Sequence, residues 1–236
     1  MNSESEGYRT KAVLSGEIRF SDIFDQEEIQ QLQDLFSDAT GVSSLIADTR
    51  GNPLTRPSNF SRLCRDFIRP TVKGMRMCML SNVGFGSKVL SEPLVSPCLI
   101  CGLWESGVGI YAGGEHIANW LIGQVRNENI EIGQMAGFAA EIGVDVDEFM
   151  KALEEVPVMP VEQFKKVAKM LSVYVNGLSG KAYDNYLQNK KIEELDKSKS
   201  QLQESEVRFR NLLMDVQSVS VQGYEKKKKT LYWNKA

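Results

Sequence analysis

Apolar residues follow helical spacing in some stretches of the chain and alternate with polar residues in others. A capping-box pattern at Asp25 and Glu28 predicts a helix that ends before Gly41. Residues 42–47 and 53–55 are predicted to be strands joined by a polar turn. The first part of the chain is therefore a helix followed by a hairpin.

Two further helices are predicted after this hairpin. Ser58 can cap the first, which carries Cys64 and ends at Pro70. The second runs from Thr71 to about Asn82 and carries Cys78. The first two cysteines of the chain are therefore expected on helical surfaces.

Strands are predicted again in the middle of the chain. Residues 103–111 and 116–125 flank the glycine turn at 112–115, and residues 94–98 form another short strand. Close hairpins on both sides of the helices predict an α+β domain, an antiparallel sheet with helices over one face. The space between such a sheet and its helices can enclose a small ligand.

The last third of the chain is predicted to be largely helical. From about Val161 the helix closes the domain, and Gly177 and Gly180 then permit a bend. Beyond them a seam at three-four spacing indicates a weak two-stranded coiled coil that links a homodimer. Its apolar positions are Ile192, Leu195, Leu202 and Phe209, and its polar positions are Lys199 and Glu206. A single solvated helix is the alternative.

Composition narrows the class of protein. With 236 residues, 42% apolar and 25% charged, the chain can bury one sizeable core. A net charge of −3 argues against a nucleic-acid partner, and the basic run at 226–229 is expected in a solvated turn. Residues 1–17 are predicted to be a flexible leader, and without a long apolar run the chain is expected to be cytoplasmic, with no membrane partner.

The four cysteines are the strongest chemical signal. Cys98 and Cys101 form a C-x-x-C pair, and Cys64 and Cys78 from neighbouring segments would complete a four-sulfur shell for zinc or an iron–sulfur cluster. Buried cysteines that only pack, or a redox dithiol, are the alternatives. A structural disulfide is disfavoured in a reducing compartment.

Four segments together resemble the PocR ligand-binding domain over residues 18–180. They are residues 60–65 (FSRLCR), Cys78, residues 98–104 (CLICGLW) and, most specifically, residues 114–126 (GEHIANWLIGQVR). The resemblance implies a PAS-like sensory fold that recognises small molecules at the front of prokaryotic histidine kinases, cyclases and transcription regulators. The family's common cysteines match those of this chain, although many members carry a histidine in the 98–101 cluster.

The C-terminal segments resemble the start of a PAS domain. They are residues 208–213, 221–224 and 231–236, which correspond to its first helix and first two strands. Two strands alone cannot bury a core, so we expect a fragment of a longer receptor whose output module lies downstream. The predicted organisation is a sensory domain at 18–180, a signalling helix at 181–212 and a truncated PAS domain at 213–236.

The predicted function is a sensory input module, and not an enzyme. Trp104, His116, Trp120 and Gln124 are the candidate ligand-binding residues beside the metal centre, since they offer aromatic walls and polar groups. His116 is the only histidine, and no glycine-rich phosphate loop is present. A structural zinc dimerisation module and a thiol redox switch without a ligand pocket are the alternative functions.

Overall fold

The computed structural model describes residues 18–85, 93–126, 132–214, 222–224 and 230–233. The helices in these ranges are α1 Phe20–Ile23, α2 Gln26–Thr40, a π-helix at Leu63–Ile68, α3 Val72–Gly84, α4 Ile132–Ile142, α5 Val146–Glu154 and α6 Val161–Met214. The strands are β1 Ser43–Asp48, β2 Val95–Pro97, β3 Trp104–Ala112, β4 Glu115–Val125, β5 Gln222–Tyr224 and β6 Thr230–Trp233.

The main sheet has four strands in the order β1-β4-β3-β2, and every neighbouring pair is antiparallel. The predicted α+β class with an antiparallel sheet and a long C-terminal helix is therefore confirmed. Turn residues Gly113 and Gly114 join β3 to β4 with φ of 61° and 87°, a conformation that glycine adopts without strain.

The predicted second strand at residues 53–55 is wrong. Within these residues only a single bridge forms, between Ala47 and Pro53. The backbone N–H of Leu54 donates to the Ile46 carbonyl at 2.8 Å, but the Ile46 N–H donates to the Thr55 hydroxyl at 2.9 Å. Because a side chain replaces a backbone carbonyl here, the ladder is interrupted, and it resumes only as a second isolated bridge between Ser44 and Ser58.

Helices α2 and α6 cover one face of the sheet. Asp25 caps α2 by accepting from the backbone N–H groups of Glu27 and Glu28, and Gly41 ends the helix with φ of 74°. The main core forms between these helices and the sheet from Ile29, Val42, Ile46, Val108, Ile110, Ala118, Trp120, Ile122, Phe164, Leu171 and Val175.

The other face of the sheet meets the π-helix, α3 and the turn between β2 and β3. A second core here includes Leu63, Ile68, Leu103, Phe149 and Leu153, and it brings α4 and α5 against the π-helix. Helical segments therefore line this second face as well.

The chain divides into two compact units, Met1–Tyr183 and Asp184–Ala236. Helix α6 runs through Gly177 and Gly180 without interruption, so the predicted bend is not seen. In the second unit, β5 and β6 pair antiparallel in a two-stranded sheet. None of the described helices is long and apolar enough to cross a membrane.

We predict that Gly74→Ala destabilises the fold. A Cβ on Gly74 would lie 2.0 Å from the Ile68 carbonyl oxygen, so the start of α3 would have to move away from the π-helix. We expect a loss of about 1–3 kcal/mol in the free energy of unfolding, measured by urea denaturation.

The matched control is Gly137→Ala in α4, where no atom lies within 4 Å of the added Cβ. This change should stabilise by about 0.5–1 kcal/mol, because alanine has the higher helix propensity. Equal effects of the two substitutions would contradict the close approach at Gly74.

Candidate functional site

All four cysteines line one cavity on the second face of the sheet. Cys64 comes from the π-helix, Cys78 from α3, and Cys98 and Cys101 from the turn between β2 and β3. All four are free thiols. The cavity volume is about 40 Å³. This is enough for a few water molecules and much smaller than the volume of a pocket for a drug-sized ligand.

The turn between β2 and β3 presents two of these cysteines. The Cys98 N–H donates to the Leu103 carbonyl at 2.7 Å, and the Gly102 N–H donates to the Cys98 carbonyl at 3.0 Å. Gly102 takes φ of 63°, which closes the turn. The predicted tight C-x-x-C turn is therefore present, and Leu99 between the two cysteines is exposed.

Cys101 is the common hydrogen-bond partner of two other thiols. Cys101 interacts with both Cys64 and Cys98, and these hydrogen bonds together with burial raise the pKa of Cys101 well above its ordinary value. The hydrogen bond from Cys101 lowers the pKa of Cys64 against the effect of burial. Burial raises the pKa of Cys78 to about 12. At neutral pH, Cys78 and Cys101 are therefore protonated.

Charged groups also lie at the cavity. Glu105 of β3 accepts a hydrogen bond from the Ser81 hydroxyl at 2.8 Å, and burial of its carboxyl raises its pKa. The Glu105 carboxylate also accepts a hydrogen bond from Cys98, and Arg69 lowers its pKa electrostatically. The Arg69 guanidinium stacks over the Phe60 ring, 4.6 Å from its centroid.

Gln124 is the one predicted ligand-binding residue that lines the cavity. Its side-chain oxygen accepts hydrogen bonds from the backbone N–H of Ser61 at 2.8 Å and from the Ser61 hydroxyl at 2.9 Å. The Ser61 hydroxyl in turn accepts from the Cys64 N–H at 3.3 Å. Gln124 therefore holds the start of the segment that carries Cys64.

Trp104, His116 and Trp120 do not line this cavity. Trp120 lies in the main core, where its indole N–H donates to the Ser44 hydroxyl at 2.8 Å. Trp104 packs against the same core. His116 stacks on Tyr111 near the hairpin turn, with ring centroids 5.1 Å apart. A ligand-binding role for these three residues stays a prediction.

Two irregularities in the pairing of β3 with β4 explain this separation. The register shifts between Trp104 and Glu105 and again between Ile110 and Tyr111. Gln124 takes φ of 56° at the first shift, where Trp104 pairs with Val125 and Glu105 pairs with Gly123. The even spacing of positions 116, 120 and 124 therefore does not place their side chains on one face.

Sequence reasoning missed the charged residues at the cavity. Glu105 interrupts an apolar strand directly after Trp104, and Arg69 precedes Pro70 at the end of the π-helix. A carboxylate within the strand predicted at residues 103–111 was the available signal. Only the tertiary structure brings it to Arg69 and the cysteines.

The four thiols line one cavity, but their side chains do not have the geometry of a metal site. Within the described ranges, no group of three or more His, Cys, Asp or Glu side chains could hold a metal as placed. Cys101 is protonated at neutral pH, because its hydrogen bonds with Cys64 and Cys98 raise its pKa well above the ordinary value. A metal would therefore require the cysteine side chains to rotate and Cys101 to lose its proton.

The fold is an α+β domain in which an antiparallel sheet and its helices enclose a small cavity. The family model described as the sensory domain found in PocR matches residues 22–183, and the chain belongs to this family. Comparisons with curated proteins and with solved structures give no significant match. The chain is thus a sensory module.

We predict that Trp120→Phe destabilises the domain more than Trp104→Phe. Trp120 is fully buried, and its loss leaves the Ser44 hydroxyl without the indole donor, whereas Trp104 is only partly buried. We expect Trp120→Phe to cost about 1–3 kcal/mol in guanidinium denaturation and Trp104→Phe to cost less. Equal losses would show that Trp120 is not the core residue described here.

Proposed function

We propose that this chain is the sensory input module of a prokaryotic signalling protein and that the cysteine cavity is its sensing centre. The observation that carries the proposal is the position of Cys64, Cys78, Cys98 and Cys101, which come from three separate elements and line one cavity. Free thiols in contact with one another fit a reducing compartment, so we place the module in the cytoplasm.

A metal centre is the function that this donor set supports best. Four sulfur ligands suit zinc or an iron–sulfur cluster, and thiolates are the ligands that both prefer. Zinc would displace the protons of the thiols, so its affinity should rise with pH.

A thiol redox switch is the second candidate. Cys101 forms hydrogen bonds with Cys64 and Cys98, so an oxidant could join Cys101 to either neighbour after a small rotation. In this case the domain would respond to oxidation without a bound metal. A structural zinc site that does not respond to any signal is the third possibility, and metal analysis separates the three.

A small polar ligand fits the groups that surround the cysteines. Gln124, Glu105 and Arg69 offer an amide, a carboxylate and a guanidinium on the cavity wall. A small molecule that displaces water here would bind to these polar groups, or directly to a metal held by the thiols. The predicted ligand residues Trp104, His116 and Trp120 would then act only indirectly, through packing.

The sheet offers a route from the cavity to α6. Strand β4 contributes Leu121, Gly123 and Gln124 to the cavity wall, and Trp120 of the same strand contacts Tyr174 of α6 edge to face, with ring centroids 6.1 Å apart. A shift of β4 on ligand binding would therefore change the packing of α6. The output would be a downstream PAS, histidine kinase or other module.

We propose no catalytic activity for this chain. His116, the only histidine, does not line the cysteine cavity and has its Nε2 2.7 Å from the Asn119 side-chain oxygen. A thiolate–imidazole pair is therefore not formed in this cavity. Any kinase or cyclase activity would belong to the downstream module.

We predict that Cys98→Ser abolishes metal retention. The protein should be purified without oxygen and analysed for zinc and iron by mass spectrometry, together with a thiol count and a visible absorption spectrum. One zinc per colourless chain supports the zinc centre, and a brown protein supports an iron–sulfur cluster.

The matched control is Leu99→Ser, which changes an exposed side chain in the same turn and should keep the metal. Full metal stoichiometry in Cys98→Ser would disprove the four-thiolate site. Metal-free protein that forms a disulfide on mild oxidation would favour the redox switch instead.

We also propose that a second copy of the chain pairs with α6 as a coiled coil. Ile192, Leu195, Leu202 and Phe209 are 56%, 60%, 61% and 56% exposed. Their three-four spacing places them on one side of the helix, where they can pack against the same residues of another copy.

We predict that Leu195→Glu weakens this dimer at least tenfold, because it places a carboxylate in the apolar seam. Sedimentation velocity over a concentration series measures the effect. Ser200→Glu, an exposed position off the seam, is the matched control and should leave the dimer unchanged. A parent chain that stays monomeric at high concentration would contradict the proposal.

A further inference from the structure

Helix α3 presents an apolar stripe to the solvent. Val72, Met75, Leu80 and Val83 are 89%, 37%, 62% and 40% exposed. Together with Met79 they recur at the three-four spacing that normally marks the buried face of a helix. The side of α3 that carries Cys78 and Asn82 lines the cysteine cavity instead.

The stripe forms the floor of a shallow groove, which we call the α3 groove. Its volume is about 630 Å³, and its lining residues are Arg50, Arg69, Pro70, Thr71, Val72, Met75, Arg76, Met79, Leu80 and Val83. Single exposed apolar residues are common on protein surfaces, but a contiguous apolar groove of this kind marks an interaction surface.

The charged residues of the α3 groove favour a partner with negative charge. The lining contains Arg50, Arg69 and Arg76 and no aspartate or glutamate. Arg50 has a distant ion pair with Asp48, at 3.7 Å, and is 85% exposed in its side chain. The groove therefore offers an apolar floor with a positive border.

We propose that the α3 groove binds an acidic amphipathic helix of a partner protein. From Val72 to Val83 the stripe is about 17 Å long at a rise of 1.5 Å per residue, so it matches about three turns of a helix. Apolar side chains of the partner fill the groove, and its flanking carboxylates pair with the arginines.

Charge argues against a second copy of this chain as the occupant. Two α3 grooves face to face would bring Arg50, Arg69 and Arg76 of one copy against the same three residues of the other. Composition argues against a membrane surface, because α3 contains no Trp, Tyr or Phe to anchor it in the lipid headgroups.

The α3 groove goes beyond the proposed sensing centre but shares α3 with it. Cys78 projects from this helix towards the cavity, and Arg69 lines both the cavity and the groove. Binding of a partner would therefore act on a helix that the sensing chemistry also uses.

Selection of peptides tests this proposal without assuming a sequence. A phage-displayed library of random peptides is selected on the full-length chain, and enriched peptides are synthesised and measured by fluorescence anisotropy. We expect peptides with apolar residues at helical spacing and an excess of Asp and Glu, whose binding weakens as salt is added.

Matched variants locate the binding. Leu80→Glu and Arg76→Glu should each lower the affinity at least tenfold, while Val173→Glu, which alters an exposed position on α6, should leave it unchanged. Circular dichroism confirms that each variant is folded.

Three results would overturn the proposal. The first is a library that yields no peptide sensitive to Leu80→Glu, and the second is enrichment of neutral or basic peptides. The third is self-association, or co-sedimentation with phosphatidylglycerol vesicles, that Leu80→Glu abolishes, because the occupant would then be a second copy or a membrane.

Discussion

Strand β4 has to satisfy two different environments, and the rest of the domain depends on how it does so. It pairs with both β1 and β3 at the centre of the sheet. One face carries Trp120 and Ile122 in the main core, and its far end reaches the cysteine cavity through Gly123 and Gln124. The irregularity at Gln124 turns that side chain towards Ser61, so the same strand also anchors the segment that carries Cys64.

The cysteine cavity is a buried site in which uncompensated negative charge is unfavourable. Burial raises the pKa values of Cys78 and Glu105, and Arg69 is the cation close to both. Loss of protons from several thiols would leave negative charge in a buried space, which is costly without a compensating cation. A bound cation would compensate this charge, as the proposed metal centre requires.

Helix α3 links this chemistry to the surface. Its inward side places Cys78 and Asn82 at the cavity, and its outward side exposes Val72, Leu80 and Val83 beside Arg76. Apolar side chains of α3 are therefore not confined to the side that packs on the core, as they are in a usual surface helix. Gly74 allows α3 to pack closely against the π-helix, because a side chain at this position would clash with the Ile68 carbonyl oxygen.

The sequence by itself determined the elements whose signals are local. Capping at Asp25 and Gly41, the glycine turn between β3 and β4, and the C-x-x-C turn were all predicted, because hydrogen bonds and backbone conformation within a few residues specify them. The four cysteines were predicted as one group of metal ligands; they line one cavity, and their role as ligands stays a prediction. The family was also identifiable from short segments.

Only the tertiary structure decided which side chains share a face and a cavity. The register shifts in the pairing of β3 with β4 are invisible in a single sequence, and they separate Trp120 and His116 from Gln124. Glu105 and Arg69 meet the cysteines through contacts between segments far apart in the chain. Thr55 likewise interrupts the pairing of the predicted hairpin by a side-chain hydrogen bond to β1. Each of these outcomes depends on packing between distant segments, which periodicity and spacing along one chain do not encode.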